Sequence, residues 1–219
     1  MPGACRTLVV DSEKRLQRGH FSPDSPPHGC SMGQEFGDKW AAAVASQPTI
    51  PKSDRLLTSP FTTWVEPADL GFNSAHFITY GNVCENLHGH NFHTRVIAHG
   101  DDSGEGYVLD FVALTRLARD ICQTLSDRVI LPGNSPVVRL EQQDGLIKVE
   151  SFGKRYWLES SGCVVLPIAN ATAELIAGHI GERLSEALRR ENLASGVHLL
   201  EVGVEEADRQ WGISRHRMS

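Results

Sequence analysis

His88-Gly89-His90 is the segment of this chain best suited to chemistry. On an extended strand, side chains at i and i+2 share a face, so both imidazoles can turn toward one ion. The glycine between them leaves the other face free of bulk. A third histidine, His76, lies on a preceding strand-like stretch, FNSAHFI, that could pair alongside. Three neutral imidazoles with an open fourth position form the ligand set of a catalytic zinc, in contrast to the closed four-ligand structural type. Taken alone, a His-x-His pair more often means two polar strand residues.

Cys84 precedes this pair in Cys84-Glu85-Asn86-Leu87-His88. A thiolate beside a metal-bound substrate could remove a proton from a carbon next to a hydroxyl or carbonyl. The usual fate of a free cysteine is burial as a small hydrophobe. Its polar, loop-like neighbours Asn82, Glu85 and Asn86 argue against burial here. Glu206 is singled out by parity: Leu200, Val202, Val204 and Glu206 share one strand face. A carboxylate in apolar phase is costly unless a partner satisfies it, though a strand end that has turned into solvent would serve equally well.

The elements that must carry these residues follow from periodicity. Residues 72–78 and 91–99 read as strands, the second alternating Phe92, Thr94, Val96 and Ala98 on one face. Leu114, Leu117, Ala118, Ile121 and Leu125 recur at helical spacing and predict an amphipathic helix over 112–126, with Asp110 as a plausible cap. Ile176, Ile180, Leu184 and Leu188 predict a second helix over 172–190, which Thr172 can cap. Residues 137–166 read as a four-run antiparallel meander with turns at Asp144-Gly145, Gly153-Lys154 and Ser161-Gly162. The last strand is expected over 197–206. Strands and helices come in segregated pairs, which points to an α+β fold with an antiparallel sheet.

Composition bounds the function classes. The chain has 21 basic and 27 acidic side chains, a formal net charge of −6, which argues against a protein working mainly by neutralising nucleic-acid phosphates. No apolar run approaches the roughly 18 residues of a membrane span, so no membrane role is expected. The N-terminal stretch lacks the apolar core of a secretory signal, and five cysteines are an odd number; both fit free thiols in a reducing cytoplasm. Five of the ten histidines fall between His76 and His99. Seven of the eleven prolines lie in residues 1–60, where large apolar residues are sparse. That segment reads as a mostly disordered extension with one short helical stretch at Trp40–Ala45, and the folded domain as 61–219.

Read whole, FNSAHFITYGNVCENLHGHNFHTRVIAHG resembles the 6-pyruvoyl tetrahydropterin synthase family, in particular its 6-carboxytetrahydropterin synthase branch. The resemblance rests on Ala75-His76, on Cys84, on Leu87-His88-Gly89-His90-Asn91, and on Gly106-Tyr107-Val108-Leu109-Asp110-Phe111 opening a helix. It resumes at Pro167 and runs through Thr172-Ala173-Glu174-Leu175 to Val204-Glu205-Glu206. It covers roughly 72–131 and 167–207, leaving out the extension and the meander at 137–166. It implies a T-fold, two helices on one face of an antiparallel sheet, that oligomerises into a β-barrel, a hexamer in the family, with sites between subunits. It implies Zn2+ on His76, His88 and His90, Cys84 as the proton-transfer group, and a pterin anchored by Glu206 and contacted by Thr172. The implied activity is a zinc-dependent lyase on dihydroneopterin triphosphate or a related pterin.

One motif departs from the family. Its first helix is followed by Leu-Asp-His, whose last two residues complete a relay with the cysteine. Here the chain reads Leu125-Ser126-Asp127-Arg128, placing Asp127 where the histidine belongs. A carboxylate raises a nearby thiol's pKa, whereas a protonated imidazole lowers it. Arg128, His93 and His179 are the other candidates for positive charge. The alternatives are therefore an enzyme with an altered relay, a degenerate zinc- and pterin-binding paralogue, or a 6-pyruvoyl tetrahydropterin synthase.

Overall fold

The structure is a computed structural model and describes residues 59–218. The expected extension, including the helical stretch at 40–45, lies outside the described residues apart from Ser59 and Pro60. In chain order the elements are β1 (Phe61–Val65), β2 (Gly71–His76), β3 (Thr79–Tyr80), β4 (Val83–Cys84) and β5 (His88–Gly100). Helix α1 (Phe111–Gln123) follows, then β6 (Arg128–Pro132), β7 (Arg139–Gln143), β8 (Leu146–Ser151) and β9 (Lys154–Glu159). The chain ends with β10 (Cys163–Leu166), α2 (Ala173–Arg190), β11 (Val197–Ala207) and β12 (Gln210–Arg217).

The main sheet runs β10-β6-β2-β5-β11-β12. Strand β5 is long enough to take two partners along one side, β2 at residues 88–93 and β1 at 96–100, while β11 lies along the other. Alternation along β5 buries Phe92, Thr94, Val96 and Ala98 on one face, as their spacing predicts. The two helices cover that face. Leu114, Leu117, Ala118 and Cys122 of α1 and Ile176, Ile180, Leu184 and Leu188 of α2 are buried in the same core. Each such aliphatic side chain contributes roughly 1.5–3 kcal/mol on burial. Both predicted caps are present: Asp110 accepts from the Ala113 amide at 2.8 Å, and Thr172 from the Leu175 amide at 3.4 Å.

The fold is α+β as expected, but the sheet is mixed. Strand β6 runs parallel to both β2 and β10. Strand β5 and helix α1 lie between β2 and β6 in the chain, a connection long enough to bring β6 back parallel to β2. The meander is also shorter than predicted. Strands β7, β8 and β9 form a separate antiparallel sheet, and a short 3-10 turn at Ser160–Gly162 then sends β10 to the main sheet. Its first turn is at Asp144-Gly145 as predicted; the second is at Phe152-Gly153, one residue early, and both turns have positive φ at both positions.

Strand β12 is an addition that the periodicity did not indicate. Its core-facing residues Gly212, Ser214 and His216 are opposite Val204, Val202 and Leu200. They are small or polar because α2 comes so close: a Cβ at Gly212 would lie 2.3 Å from the Glu174 nitrogen. This contact seats the N-terminus of α2, and the loop before it, over the end of the sheet that carries the histidines.

Candidate metal centre

Antiparallel pairing of β2 with β5 sets His76 opposite His88 and Ser74 opposite His90. All three imidazoles project on the helix side of the sheet, beyond the end of the helical cover. Their ring centroids are 4.7 to 5.3 Å apart. From β11, Glu206 joins them. Its Oε1 lies 3.6 Å from His90 Nε2 and 3.9 Å from His76 Nε2. One ligand atom from each of the four residues falls within 4.8 Å of every other. Glu205, on the opposite phase, instead accepts from the Arg209 amide at 2.6 Å and closes the β11–β12 turn.

These separations fit a shared ion better than direct hydrogen bonds. Distances of 3.6 and 3.9 Å are too long for hydrogen bonds. Two ligands each about 2.1 Å from one tetrahedral ion lie about 3.4 Å apart. His76 Nε2 and His90 Nε2 are buried without a hydrogen-bond partner. An orphaned buried acceptor costs about 1–3 kcal/mol unless something satisfies it, and a cation held by both does so.

The outer nitrogens of two of the rings are already engaged. His76 Nδ1 donates to the Ala171 carbonyl at 2.8 Å, and His88 Nδ1 donates to the Asn86 carbonyl at 2.8 Å. Because a carbonyl only accepts, each ring carries its proton on Nδ1 and presents a bare Nε2, the arrangement common to metal-binding histidines. Burial is the largest influence on His76 and holds its pKa below the usual imidazole value, with His88 and His90 acting in the same direction; the Ala171 carbonyl and Glu206 oppose. Neutral imidazole is the ligand form. Asn170 braces the Ala171 carbonyl: its side chain accepts from the Thr79 and Ala171 amides and donates to the Thr79 carbonyl. Nothing in the periodicity pointed to Asn170 or Ala171, since their role depends on contacts some ninety residues apart in the chain.

Thr172 follows Ala171, whose carbonyl holds His76, whereas Cys84 and Asp127 are not among the gathered donors. Cys84 is 3% exposed, which corrects the expectation drawn from its polar neighbours. Those neighbours face outward while the thiol turns into a second apolar cluster with Phe77, Leu131, Val138, Ile147, Val149 and Cys163. Burial pushes the thiol pKa up, Lys154 and Ser151 pull it down, and Glu85 adds slightly to the rise. Asp127 has φ +57° and accepts from Asn73 Nδ2 at 2.7 Å. Asn73 alternates with Ser74 and His76, so Asp127 is on the sheet face opposite the histidines. A groove beside it is lined by residues of both phases, among them Asn73, Ser74, Gly89, His90, Asp127 and Arg128. Asp127 is not among the donors whose ligand atoms gather with the histidines.

None of the other cations weighed from the sequence shifts the Cys84 thiol. Arg128 donates to the Ser161 carbonyl at 2.7 Å, and His93 approaches Glu66. His179 sits on α2 among Glu182, Arg183 and Glu186. Among the described residues, no helix is long and apolar enough to cross a membrane.

Residues 68–217 match the family model described as 6-pyruvoyl tetrahydropterin synthase. A Pyrococcus abyssi protein with the provisional name 6-carboxy-5,6,7,8-tetrahydropterin synthase is 33% identical over 142 residues, covering 64% of this chain and 82% of that protein. A Methanocaldococcus jannaschii protein of the same provisional name is 29% identical over 140 residues, 64% of this chain and 85% of its own. Among solved structures, the Plasmodium falciparum 6-pyruvoyl tetrahydropterin synthase superposes with a TM-score of 0.68 at 32% identity, covering 71% of this chain and 97% of its own. A Plasmodium vivax 6-pyruvoyltetrahydropterin synthase, solved as a catalytic residue mutant in which alanine replaces a glutamate, gives the same TM-score at 30% identity and the same coverage. Through a match that takes in both histidine-bearing strands, both helices and the Glu206 strand, this chain belongs to the 6-pyruvoyl tetrahydropterin synthase family.

Proposed function

We propose that the chain is a zinc-dependent, 6-carboxytetrahydropterin synthase-like lyase acting on dihydroneopterin triphosphate or a related pterin. The observation that carries this reading is the pair of buried, unpartnered Nε2 atoms of His76 and His90, with His88 as the third imidazole and Glu206 beside the trio. Three imidazoles with nitrogen ligation suit zinc among the divalent metals, and zinc at such a site polarises hydroxyl and carbonyl oxygens as a Lewis acid. Glu206 has two oxygens that can accept the adjacent N–H donors of a pterin ring in bidentate fashion. Its placement beside the imidazoles puts that anchor next to the metal position. Thr172, at the start of α2, is the second pterin contact in this reading. Cys84 removes a proton from the substrate side chain, and triphosphate leaves with or without carbon–carbon cleavage. In this reading Asp127 reaches the Cys84 of a second subunit, as a homo-oligomer of the family's barrel type would allow.

Two observations favour alternatives. The buried Cys84 thiol and the hydrogen-bonded Asp127 suit a paralogue that binds zinc and pterin without efficient turnover. Glu85, next to Cys84, is a second candidate base there, its carboxylate accepting from the Ile78 amide at 3.3 Å. Incubating zinc-loaded protein with dihydroneopterin triphosphate and identifying products by mass spectrometry separates these readings. 6-Carboxytetrahydropterin supports the proposal and 6-pyruvoyl tetrahydropterin the sister activity. Unchanged substrate supports the binding paralogue. Product from a Cys84→Ala variant that Glu85→Gln abolishes would move the proton transfer to Glu85.

A further inference from the structure

The β7–β9 sheet is the part of the domain on which the sequence resemblance is silent, yet its third strand reaches the Cys84 segment at three points. Tyr156 Oη accepts from the Leu87 amide at 3.3 Å and is 3.5 Å from the Glu85 carbonyl, to which it donates. Lys154 donates through Nζ to the side-chain oxygen of Asn86. The Tyr156 ring stacks on Phe77, the residue after ligand His76, with centroids 6.0 Å apart. Asn86 is in turn the residue whose carbonyl fixes the His88 ring. Residues 84–88 are thus pinned from outside by β9 and from inside by Phe77.

We propose that β9 supplies the positioning groups of the Cys84 segment. Tyr156 and Lys154 hold Asn86 and Leu87 in place, and the Lys154 ammonium provides the positive charge that Ser126-Asp127 does not. This rests on the reading of Cys84 as the proton-transfer group. Among the described residues, the groups acting on the thiol are Lys154 of β9, Ser151 at the end of β8, and Glu85 on its own segment. Lys154 is the only cation among them, and it favours the thiolate.

The test uses full-length, zinc-loaded protein and reads iodoacetamide alkylation of each cysteine peptide by mass spectrometry from about pH 6 to 10, a range that brackets thiol ionisation. Cys163, buried in the same apolar cluster, serves as the internal reference for general loosening. Lys154→Met should slow Cys84 alkylation at neutral pH by about 3- to 10-fold and move its profile to higher pH, with Cys163 unchanged. Lys154→Arg should restore the wild-type profile. Tyr156→Phe, which keeps the ring on Phe77, should speed hydrogen exchange of the 84–88 peptide. An unmoved Cys84 profile in Lys154→Met, or an equal fall in Lys154→Arg, overturns the inference. Turnover of a pterin with an unmoved profile would sink it while leaving the proposed function standing. A shifted profile in a protein that turns over no pterin would leave the positioning role and remove the enzyme reading.

Discussion

His76, His88 and His90 sit on two paired strands whose register sets their spacing, whereas Cys84 ends a two-residue strand and depends on side chains from a separate sheet. The two imidazoles of this trio with fixed outer nitrogens are tied to main-chain carbonyls, one of them braced by Asn170. Strand pairing is cooperative and buried on one side, so this cluster is preorganised by the core itself. The thiol is fixed by contacts that could be lost without unfolding the domain. The histidine cluster is built to hold a constant geometry, and the Cys84 segment is open to tuning by its neighbours.

Breaking the metal end should have the largest effect. His88→Ala removes one of three imidazoles and should take bound zinc from about one per chain to a small fraction, read by metal analysis of purified protein. Unchanged occupancy would mean the ion is held elsewhere. At the relay position, which meets a thiol only between subunits, Asp127→His together with Ser126→Asp should raise pterin turnover, by up to about 10²–10⁴-fold if the missing imidazole limits proton transfer. A slower double variant would identify Asp127 as a working base. Because Asp127 occupies the left-handed region, where histidine is tolerated better than most residues, the fold should survive the change.

Glu206 sharpens the comparison because it belongs to both descriptions. Glu206→Ala should weaken pterin binding by about 10-fold or more while zinc stays, measured by calorimetry and metal analysis in parallel. Loss of zinc as well would make Glu206 a fourth ligand and close the coordination position left for substrate. The smallest effect expected is a pH dependence of metal-free protein. Burial is the first cause lowering the pKa of His76, His179 and His216. The unfolded chain therefore takes up protons near the ordinary value of 6.5 before the folded chain does. Stability is full above that pH and is lost as pH falls from about 6.5 toward the lower folded values. Melting temperature should drop across that window, and bound zinc should suppress the drop at its upper end. The Cys122 thiol, pushed up to about 11 by burial, acts in the opposite sense and costs stability only at alkaline pH.

Local periodicity determined a definite part of this protein. A period of two puts His88 with His90 and selects Glu206 over Glu205, because side-chain facing on a strand is set by the backbone alone. A period near 3.6 with a capping Asp110 and Thr172 determines the two helices for the same reason. Everything that depends on which distant segment lies alongside was decided by tertiary packing. Parallel pairing of β6 with β2 and β10 departs from the antiparallel expectation. Strand β12 is invisible to periodicity because the close approach of α2 demands Gly212, Ser214 and His216 where an alternating strand would show apolar residues. Cys84 is buried although its neighbours are polar, because the β7–β9 sheet packs over it. Lys154, Tyr156 and Asn170 acquire their roles only through contacts 68 to 91 residues away, which no local pattern encodes.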